Sequence, residues 1–221
     1  MVKRLKRPET KLNIFTEKEV RRLVKHVEND RLGHAWHLAL AGLRRGEISG
    51  LEWSDVKLDD DCDGGALTIA HNRVSVGGKV HDTSPKTERS ARTLPLTPAL
   101  AKALKRAKAL QAAERLRLGP HYLGQGKHVV VDDAGRPYHP DTLSDFWREL
   151  CIAAKVRQIR LHDARHSCAS IMHAQAVPMA VISPHGSGTP IRRSPCGPTL
   201  HDENDALKTA AATWQNVVTP S

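Results

Sequence analysis

The chain has 221 residues, of which 39% are hydrophobic, so it is long enough to fold around a core of its own. Lysine and arginine outnumber aspartate and glutamate by 34 to 24, and the net charge of +10 favours a polyanionic partner, nucleic acid before an anionic membrane. Charge alone is equally compatible with a merely soluble basic protein. The four cysteines are scattered without CxxC spacing, which argues against a zinc site or a disulfide framework.

No stretch resembles a signal peptide, and no apolar run is long enough to span a bilayer. We therefore expect a cytoplasmic protein with no membrane partner. Residues 1–13 are basic and unpatterned, and we expect a linker remnant there. Thr16 and Glu19 form a capping box that begins the first helix, in which apolar residues recur at helical spacing.

Helical sequence continues to about residue 53, with a break near Gly42. Three β-type runs then follow and predict one small antiparallel sheet. Further on, Thr97 caps a helix that has proline at its first position, and three more helices are predicted before the C-terminus. The fold class predicted from this pattern is mostly α with a small antiparallel β-sheet, an α+β fold. The β-type runs cover residues 65–70, 73–82 and 91–96, and the later helices cover residues 97–118, 141–155, 162–175 and 203–214.

Three basic motifs are candidates for chemistry. In GLRRGEISGLEW, residues 42–53, the apolar side chains (Leu43, Leu51 and Trp53) are expected to be buried, which leaves Arg44 at a turn between two helices. A guanidinium there can present a planar fork to a phosphate. The alternative for Arg44 is a surface ion pair with Glu47.

The second motif connects two of the β-type runs, and the third begins the helix predicted over residues 162–175. In SPKTERSARTLPL, residues 84–96, Lys86 lies in a polar connection and is either a mobile ammonium that reaches a cleft or a solvated hairpin residue. In LHDARHSCAS, residues 161–170, His162 and Arg165 share one helical face and can bind one anionic group together. His162 and His166 could form a metal-binding pair, but no third ligand is nearby, so we expect no metal. The other alternative for His162 is a structural histidine whose hydrogen bonds are satisfied within the core.

In this order and spacing, the three motifs resemble the catalytic domain of the tyrosine recombinases, the phage-type integrases. The resemblance covers residues 14–183 and resumes at about residue 201. It implies that Arg44 is the first catalytic arginine and Lys86 the lysine of the sheet hairpin. It also implies that His162 and Arg165 are the His-x-x-Arg pair, with Glu47 in a supporting position.

The resemblance further implies strand cleavage by attack of a tyrosine on a DNA phosphodiester. Two guanidiniums and an imidazole neutralise the charge that develops on the phosphate oxygens, and a lysine protonates the leaving oxygen. The phosphotyrosine conserves the bond energy, so no metal or other cofactor is required. The partners implied are double-stranded DNA and other recombinase protomers on it, and the location implied is nucleoid-associated.

The sequence departs from the family pattern at the nucleophile. The family places a Leu-Gly-His type box and then the tyrosine after the His-x-x-Arg pair, whereas Tyr122 and Tyr138 both precede His162. Little more than a dozen residues precede the first catalytic helix, so the DNA-clamping domain of the family is also expected to be missing. No nucleophile is found, and its expected place is near Pro198 and Thr199.

Residues 184–200, PHGSGTPIRRSPCGPTL, hold seven prolines and glycines and predict neither helix nor strand. Our hypothesis is that this segment is family sequence translated in the wrong frame, and that residues 201–221 are the remnant of the C-terminal helix. One permitted codon set, read from its third base, gives AWLGHADSAFTMRTYT. This reading contains the Leu-Gly-His box, and its tyrosine codon overlaps codons 198 and 199. The alternative is a functional Pro/Gly loop in a diverged member.

We therefore expect a DNA-binding fragment of a site-specific tyrosine recombinase that is inactive as written. One alternative is a non-catalytic DNA-binding module that retains the basic cleft. A type IB topoisomerase-like strand transferase is another, although the motifs GLRRGE and KTERSARTLPL look more like integrases.

Overall fold

The computed structural model describes residues 13–59, 64–83, 92–177 and 200–219. The helices in these ranges are α1 (Glu17–His26), α2 (Gly33–Leu40), α3 (Arg45–Gly50), α4 (Pro98–Leu118), α5 (Pro140–Ala153), α6 (Leu161–Ala174) and α7 (Leu200–Val218). The strands are β1 (Val56–Leu58), β2 (Gly65–Ile69), β3 (Asn72–Val76), β4 (Lys79–Thr83) and β5 (Arg92–Pro95). The predicted α+β class is confirmed. No helix in these ranges is both long enough and apolar enough to cross a membrane.

The first helix begins where the sequence predicts it. The Thr16 hydroxyl accepts a hydrogen bond from the backbone N–H of Glu19, and the Glu19 carboxylate accepts one from the backbone N–H of Thr16. This reciprocal cap satisfies donors that the first turn leaves without partners. The apolar face buries Val20, Leu23 and Val24 against the core.

The second helix is buried in the fold at every residue except His37. It packs against α4 on one side and α6 on another. The Trp36 ring lies 5.8 Å from that of Trp147, which also meets the Phe15 ring at 6.0 Å. The helix ends at Leu40, and Gly42 follows with a φ of +91°, a conformation that favours glycine. The predicted break near Gly42 is therefore confirmed.

The strands form two antiparallel sheets rather than the single sheet predicted. Strands β1, β2 and β5 pair in that order, and β3 and β4 form a separate hairpin. Strand β5 takes the place beside β2, with Leu94 opposite Leu67, so no edge of β2 is left for β3. Strand β1 is not predicted, because its three residues are too few to show an alternating pattern.

The hairpin packs instead against α3. A Cβ atom added at Gly50 would lie 2.9 Å from the backbone nitrogen of Arg73, and one added at Gly46 would overlap the Asn72 side chain. The two glycines are one helical turn apart, so α3 presents a face without side chains to the start of β3. This close approach positions the hairpin beside the helix that Arg44 begins.

The last helix closes the fold against α1, α4 and β5. The Arg21 guanidinium donates to the carbonyl oxygen of Val217 (2.9 Å), and the Gln215 side chain accepts from the backbone N–H of Ala99 (3.2 Å). The interpretation of residues 184–200 as irregular chain concerns positions that, apart from Leu200, lie outside the described residues.

Candidate functional site

Arg44 is held at the start of α3 by its neighbours in sequence. Leu43 is buried, as predicted, and anchors the turn that follows Gly42. Arg44 is the residue before the first turn of α3, and its backbone N–H donates to Glu47 Oε2 (2.8 Å). Its guanidinium donates through Nη1 to Glu47 Oε1 (3.0 Å), yet 51% of its side chain stays exposed. The turn therefore fixes the base of this side chain and leaves much of the guanidinium accessible.

Glu47 is the buried anion of the site. It is 6% exposed and also accepts two hydrogen bonds from Arg92, from Nη1 to Oε1 (2.9 Å) and from Nη2 to Oε2 (2.8 Å). Burial on its own would raise the pKa of Glu47, but the hydrogen bonds and charges of Arg92 and Arg44 outweigh it and hold the pKa below the ordinary value. Glu47 is therefore ionised at neutral pH and compensates part of the positive charge around it.

Helix α6 supplies two further candidate residues. The Arg165 guanidinium donates through Nη1 to the carbonyl oxygen of Gly42 (2.6 Å), two residues before Arg44. Burial lowers the pKa of Arg165, and the nearby charges of Arg44 and Arg92 lower it further. One hydrogen bond thus joins α6 to the turn that leads to Arg44.

His162 lies one turn before Arg165 on the same helix, and its side chain is exposed. Burial of part of the ring lowers the pKa of His162, and the neighbouring His166, Arg165 and Arg160 lower it further. The imidazole is consequently neutral at pH 7, with one nitrogen able to donate and the other able to accept a hydrogen bond.

A cavity of about 790 Å³ lies between α3, β3, α5 and the start of α6. Arg44 and His162 both line it, whereas Arg165 does not line it and is joined to the turn before Arg44 by its hydrogen bond to Gly42. Among the described residues, five arginines and one aspartate line this cavity, so positive side chains outnumber negative ones in its lining. The five arginines are Arg44, Arg45, Arg73, Arg148 and Arg160.

Each of these five arginines is paired with a carboxylate. In four pairs the partner is an aspartate, and the shortest nitrogen–oxygen distance lies between 2.7 and 3.0 Å. In the fifth pair Arg44 contacts Glu47. A polyanion that enters the cavity has to compete with these carboxylates, which reduces the net gain from each contact. The aspartate pairs are Arg45–Asp141, Arg73–Asp82, Arg148–Asp145 and Arg160–Asp163.

The remaining predicted residues are distributed as follows. Lys86 lies outside the described residues, as do Pro198 and Thr199. Neither tyrosine lines the cavity: Tyr138 packs edge-on against Phe146 with ring centroids 5.5 Å apart, and burial raises the pKa of Tyr122 and Tyr138 alike.

The possible metal pair consists of two rings in contact. The rings of His162 and His166 lie 5.1 Å apart at 89°, an edge-to-face arrangement. Within residues 13–59, 64–83, 92–177 and 200–219, no group of three or more histidine, cysteine, aspartate or glutamate side chains is arranged to hold a metal ion.

Residues 13–185 match the model of the phage integrase family. The chain belongs to the phage integrase family. The resemblance drawn from the three motifs is thereby confirmed. The match ends at residue 185, one residue after the Pro/Gly-rich segment begins.

Curated relatives of this integrase-family chain include recombinases and integrases of bacteria. It is 26% identical over 183 residues to a tyrosine recombinase XerC-like protein of Caldanaerobacter subterraneus subsp. tengcongensis, an alignment that covers 79% of this chain and 47% of that one. It is 27% identical over 193 residues to the ICEBs1 integrase of Bacillus subtilis, covering 84% of this chain and 50% of that one. The chain spans about half the length of these two relatives.

Solved structures of recombinases share its fold. The integrase of transposon Tn1549, in complex with transposon right end DNA, superimposes with a TM-score of 0.64 at 16% identity, over 94% of this chain and 69% of that one. The XerH recombinase bound to its difH substrate in a post-cleavage complex gives a TM-score of 0.57 at 13% identity, over 95% and 54%. These likenesses confirm a fold of the tyrosine recombinase catalytic-domain type.

The sequence analysis did not identify two arginines that contact the site. Arg92 lies on the same face of β5 as Leu94, and an arginine on the inward face of a strand needs a buried partner, which was the available signal. Arg73 lines the cavity from the hairpin and pairs with Asp82 across the two strands, a register that sequence alone does not fix.

Proposed function

We propose that this chain carries the DNA-binding catalytic domain of a site-specific tyrosine recombinase, and that Arg44, His162 and Arg165 bind the phosphate at which a strand would be cut. The proposal rests chiefly on the hydrogen bond between Arg165 and Gly42. It joins one guanidinium to the turn that bears the other, at the cavity that His162 lines. The DNA complexes among the structural neighbours support the choice of DNA as the polyanion.

The chemistry of the three side chains suits a phosphodiester whose charge increases in the transition state. Nε and Nη2 of Arg44 have no hydrogen-bond partner among the described residues, so they are available to the two non-bridging oxygens. Arg165 adds a second fixed cation, and neutral His162 donates or accepts a proton. Preorganised donors of this kind are the usual source of large rate effects. Lys86 is proposed as the acid that protonates the leaving oxygen.

The same proposal holds that the chain as written does not cut DNA. No tyrosine follows His162 in this sequence, and the hydroxyls of Ser187, Ser194 and Thr199 are less acidic than a phenol. The end of the family match at residue 185 supports an interruption at this place. The alternative of a non-catalytic binding module shares the same cavity, whereas the topoisomerase alternative gains no support from the relatives.

The binding claim is tested by fluorescence anisotropy with a short labelled duplex across a salt series. We expect weak, poorly sequence-specific binding that falls by orders of magnitude between about 50 mM and about 200 mM salt. Arg44→Ala should weaken binding at low salt by about fivefold to tenfold and reduce the salt slope by about 1.

Arg117→Ala is the matched control, because Arg117 is an exposed arginine of α4 that does not line the cavity. It should change the affinity by less than about twofold. A tight, salt-resistant complex with one short duplex would contradict the proposal, and so would equal losses for Arg44→Ala and Arg117→Ala.

A further inference from the structure

The Arg92 side chain is less exposed than that of any arginine that lines the cavity. It is the first residue of β5, its side chain is 13% exposed, and both of its Nη atoms donate to Glu47. It does not line the cavity. Its guanidinium is therefore not placed to contact a phosphate in the way that Arg44 is.

Glu47 in turn uses all of its acceptor capacity on two arginines. Oε1 accepts from Nη1 of Arg92 and Nη1 of Arg44, and Oε2 accepts from Nη2 of Arg92 and the backbone N–H of Arg44. A carboxylate has about four acceptor positions, so these four bonds fix its plane as well as its position. The direction of the Arg44 side chain is set by that plane.

We infer that Arg92 is a positioning residue that acts on the bound phosphate through Glu47 and Arg44, without contacting DNA itself. The inference rests on the proposed function. Arg92 has two effects: it fixes the carboxylate plane by a bidentate contact, and it supplies a second cation for the single charge of Glu47. With Arg92 present, Arg44 gives only Nη1 to Glu47 and retains donors for a phosphate.

Loss of Arg92 leaves the buried Glu47 charge to Arg44 alone. The guanidinium of Arg44 is then drawn into the two oxygen positions that Arg92 vacates, because a bidentate arginine–carboxylate pair is stronger than a single bond. The donors that Arg44 offers to a phosphate are reduced, and the positive potential of the cavity falls by one charge. Arg92→Gln should therefore weaken DNA binding more where Arg44 is present than where it is absent.

A double-mutant cycle on the full chain measures this dependence. DNA affinity at low salt is determined for the parent, Arg92→Gln, Arg44→Ala and the double variant, with a short duplex as the probe. We expect Arg92→Gln to weaken binding by about fivefold in the parent and by less than about twofold in the Arg44→Ala background. Arg92→Lys, which keeps the charge but not the bidentate geometry, should lose less than Arg92→Gln.

Arg31→Gln is the matched control for stability. Arg31 also pairs through two nitrogens with a buried glutamate, Glu114, at 3.0 and 2.8 Å, but it does not line the cavity. Arg31→Gln should lower the unfolding temperature, as Arg92→Gln does, but it should leave DNA affinity unchanged. A purely structural role for Arg92 would give the two variants the same behaviour, and that result would overturn the inference.

Two other results would also decide against it. Equal losses for Arg92→Gln with and without Arg44 would show that Arg92 contacts DNA independently, and no loss in either background would show that it does not act on binding. If Arg44→Ala itself leaves DNA affinity unchanged, the proposed function fails first, which distinguishes that failure from failure of the Arg92 inference alone.

Discussion

The Arg165 guanidinium donates a 2.6 Å hydrogen bond to the carbonyl oxygen of Gly42, across 123 residues of sequence. Gly42 has a φ of +91°, and this turn ends α2 and leads to Arg44. The left-handed turn therefore has two functions in the structure. It directs Arg44 towards the cavity, and it gives Arg165 a fixed acceptor.

Gly42→Ala should destabilise the fold and weaken DNA binding together. An added Cβ would lie 3.9 Å from Arg165 Cγ and from Cys168 Sγ, an ordinary contact, so the cost arises from the backbone conformation. We expect a loss of about 1–2 kcal/mol in the free energy of unfolding, measured by urea denaturation. Gly119→Ala, at a φ of +50° and with nothing within 4 Å of the new Cβ, should lose stability without losing DNA affinity. Unchanged DNA binding by Gly42→Ala would show that the conformation of this turn does not affect the binding site.

Acid should destabilise the fold through a buried histidine. His34 is 4% exposed, its Nε2 lies 3.1 Å from the carbonyl oxygen of Val129, and burial lowers its pKa from 6.5 to about 4. Between these pH values the unfolded chain binds a proton that the folded chain does not. The contribution of His34 to stability is therefore complete above pH 6.5. About 3 kcal/mol of it is lost as the pH falls from 6.5 to 4.

His34→Gln keeps a side-chain amide near the Val129 carbonyl and removes the titrating ring. The free energy of unfolding, measured by urea denaturation at several pH values between 6.5 and 4, should depend less on pH in this variant than in the parent. His26→Gln, at an exposed position in α1, should retain the pH dependence of the parent. The explanation is wrong if His34→Gln and the parent lose stability in parallel.

The helices were predictable because each carries a local signal. Thr16 with Glu19, and Thr97 with Pro98, begin helices that the structure forms at those residues. The motifs were also sufficient to identify the family, since the three lie in order along one chain. Arg44 and Arg165 were recognisable from their motifs, but the hydrogen bond that brings them together through Gly42 is a tertiary contact with no local sequence signal.

The arrangement of the strands was less predictable. Local alternation identifies β2, β3, β4 and β5, but the choice of partner depends on which strand fills the edge of β2. The side-chain-free face of α3, made by Gly46 and Gly50, decides where the hairpin lies. For the same reason the contributions of Arg73 and Arg92 to the site follow from packing and register.

No covalent DNA adduct should form with the chain as written. Incubation with nicked suicide substrates, which trap a phosphotyrosyl intermediate, should give no band that survives denaturation, since no tyrosine follows His162. A denaturation-resistant band would show that another residue acts as the nucleophile. Replacing Tyr122 or Tyr138 by phenylalanine would then show whether either of them is responsible.

The nucleotide sequence over codons 183 to 201 should contain the missing motif in another frame. We expect a shifted reading with no stop codon, a Leu-Gly-His type box and a tyrosine codon overlapping codons 198 and 199. The protein sequence already constrains this reading, because Pro198-Thr199 read from its third base gives only Tyr, His, Asn or Asp. A stop codon in that frame, or a codon other than tyrosine at that overlap, would disprove the frameshift hypothesis and leave the diverged loop.

A crystal structure of the chain bound to a short DNA duplex tests the central claim most directly. We predict that one backbone phosphate lies in the cavity between α3 and α6, with its non-bridging oxygens within about 3.2 Å of donors on both Arg44 and Arg165. Arg92 should remain on Glu47 and make no contact with DNA. DNA bound on another face, with the cavity arginines still paired only to their carboxylates, would contradict the claim.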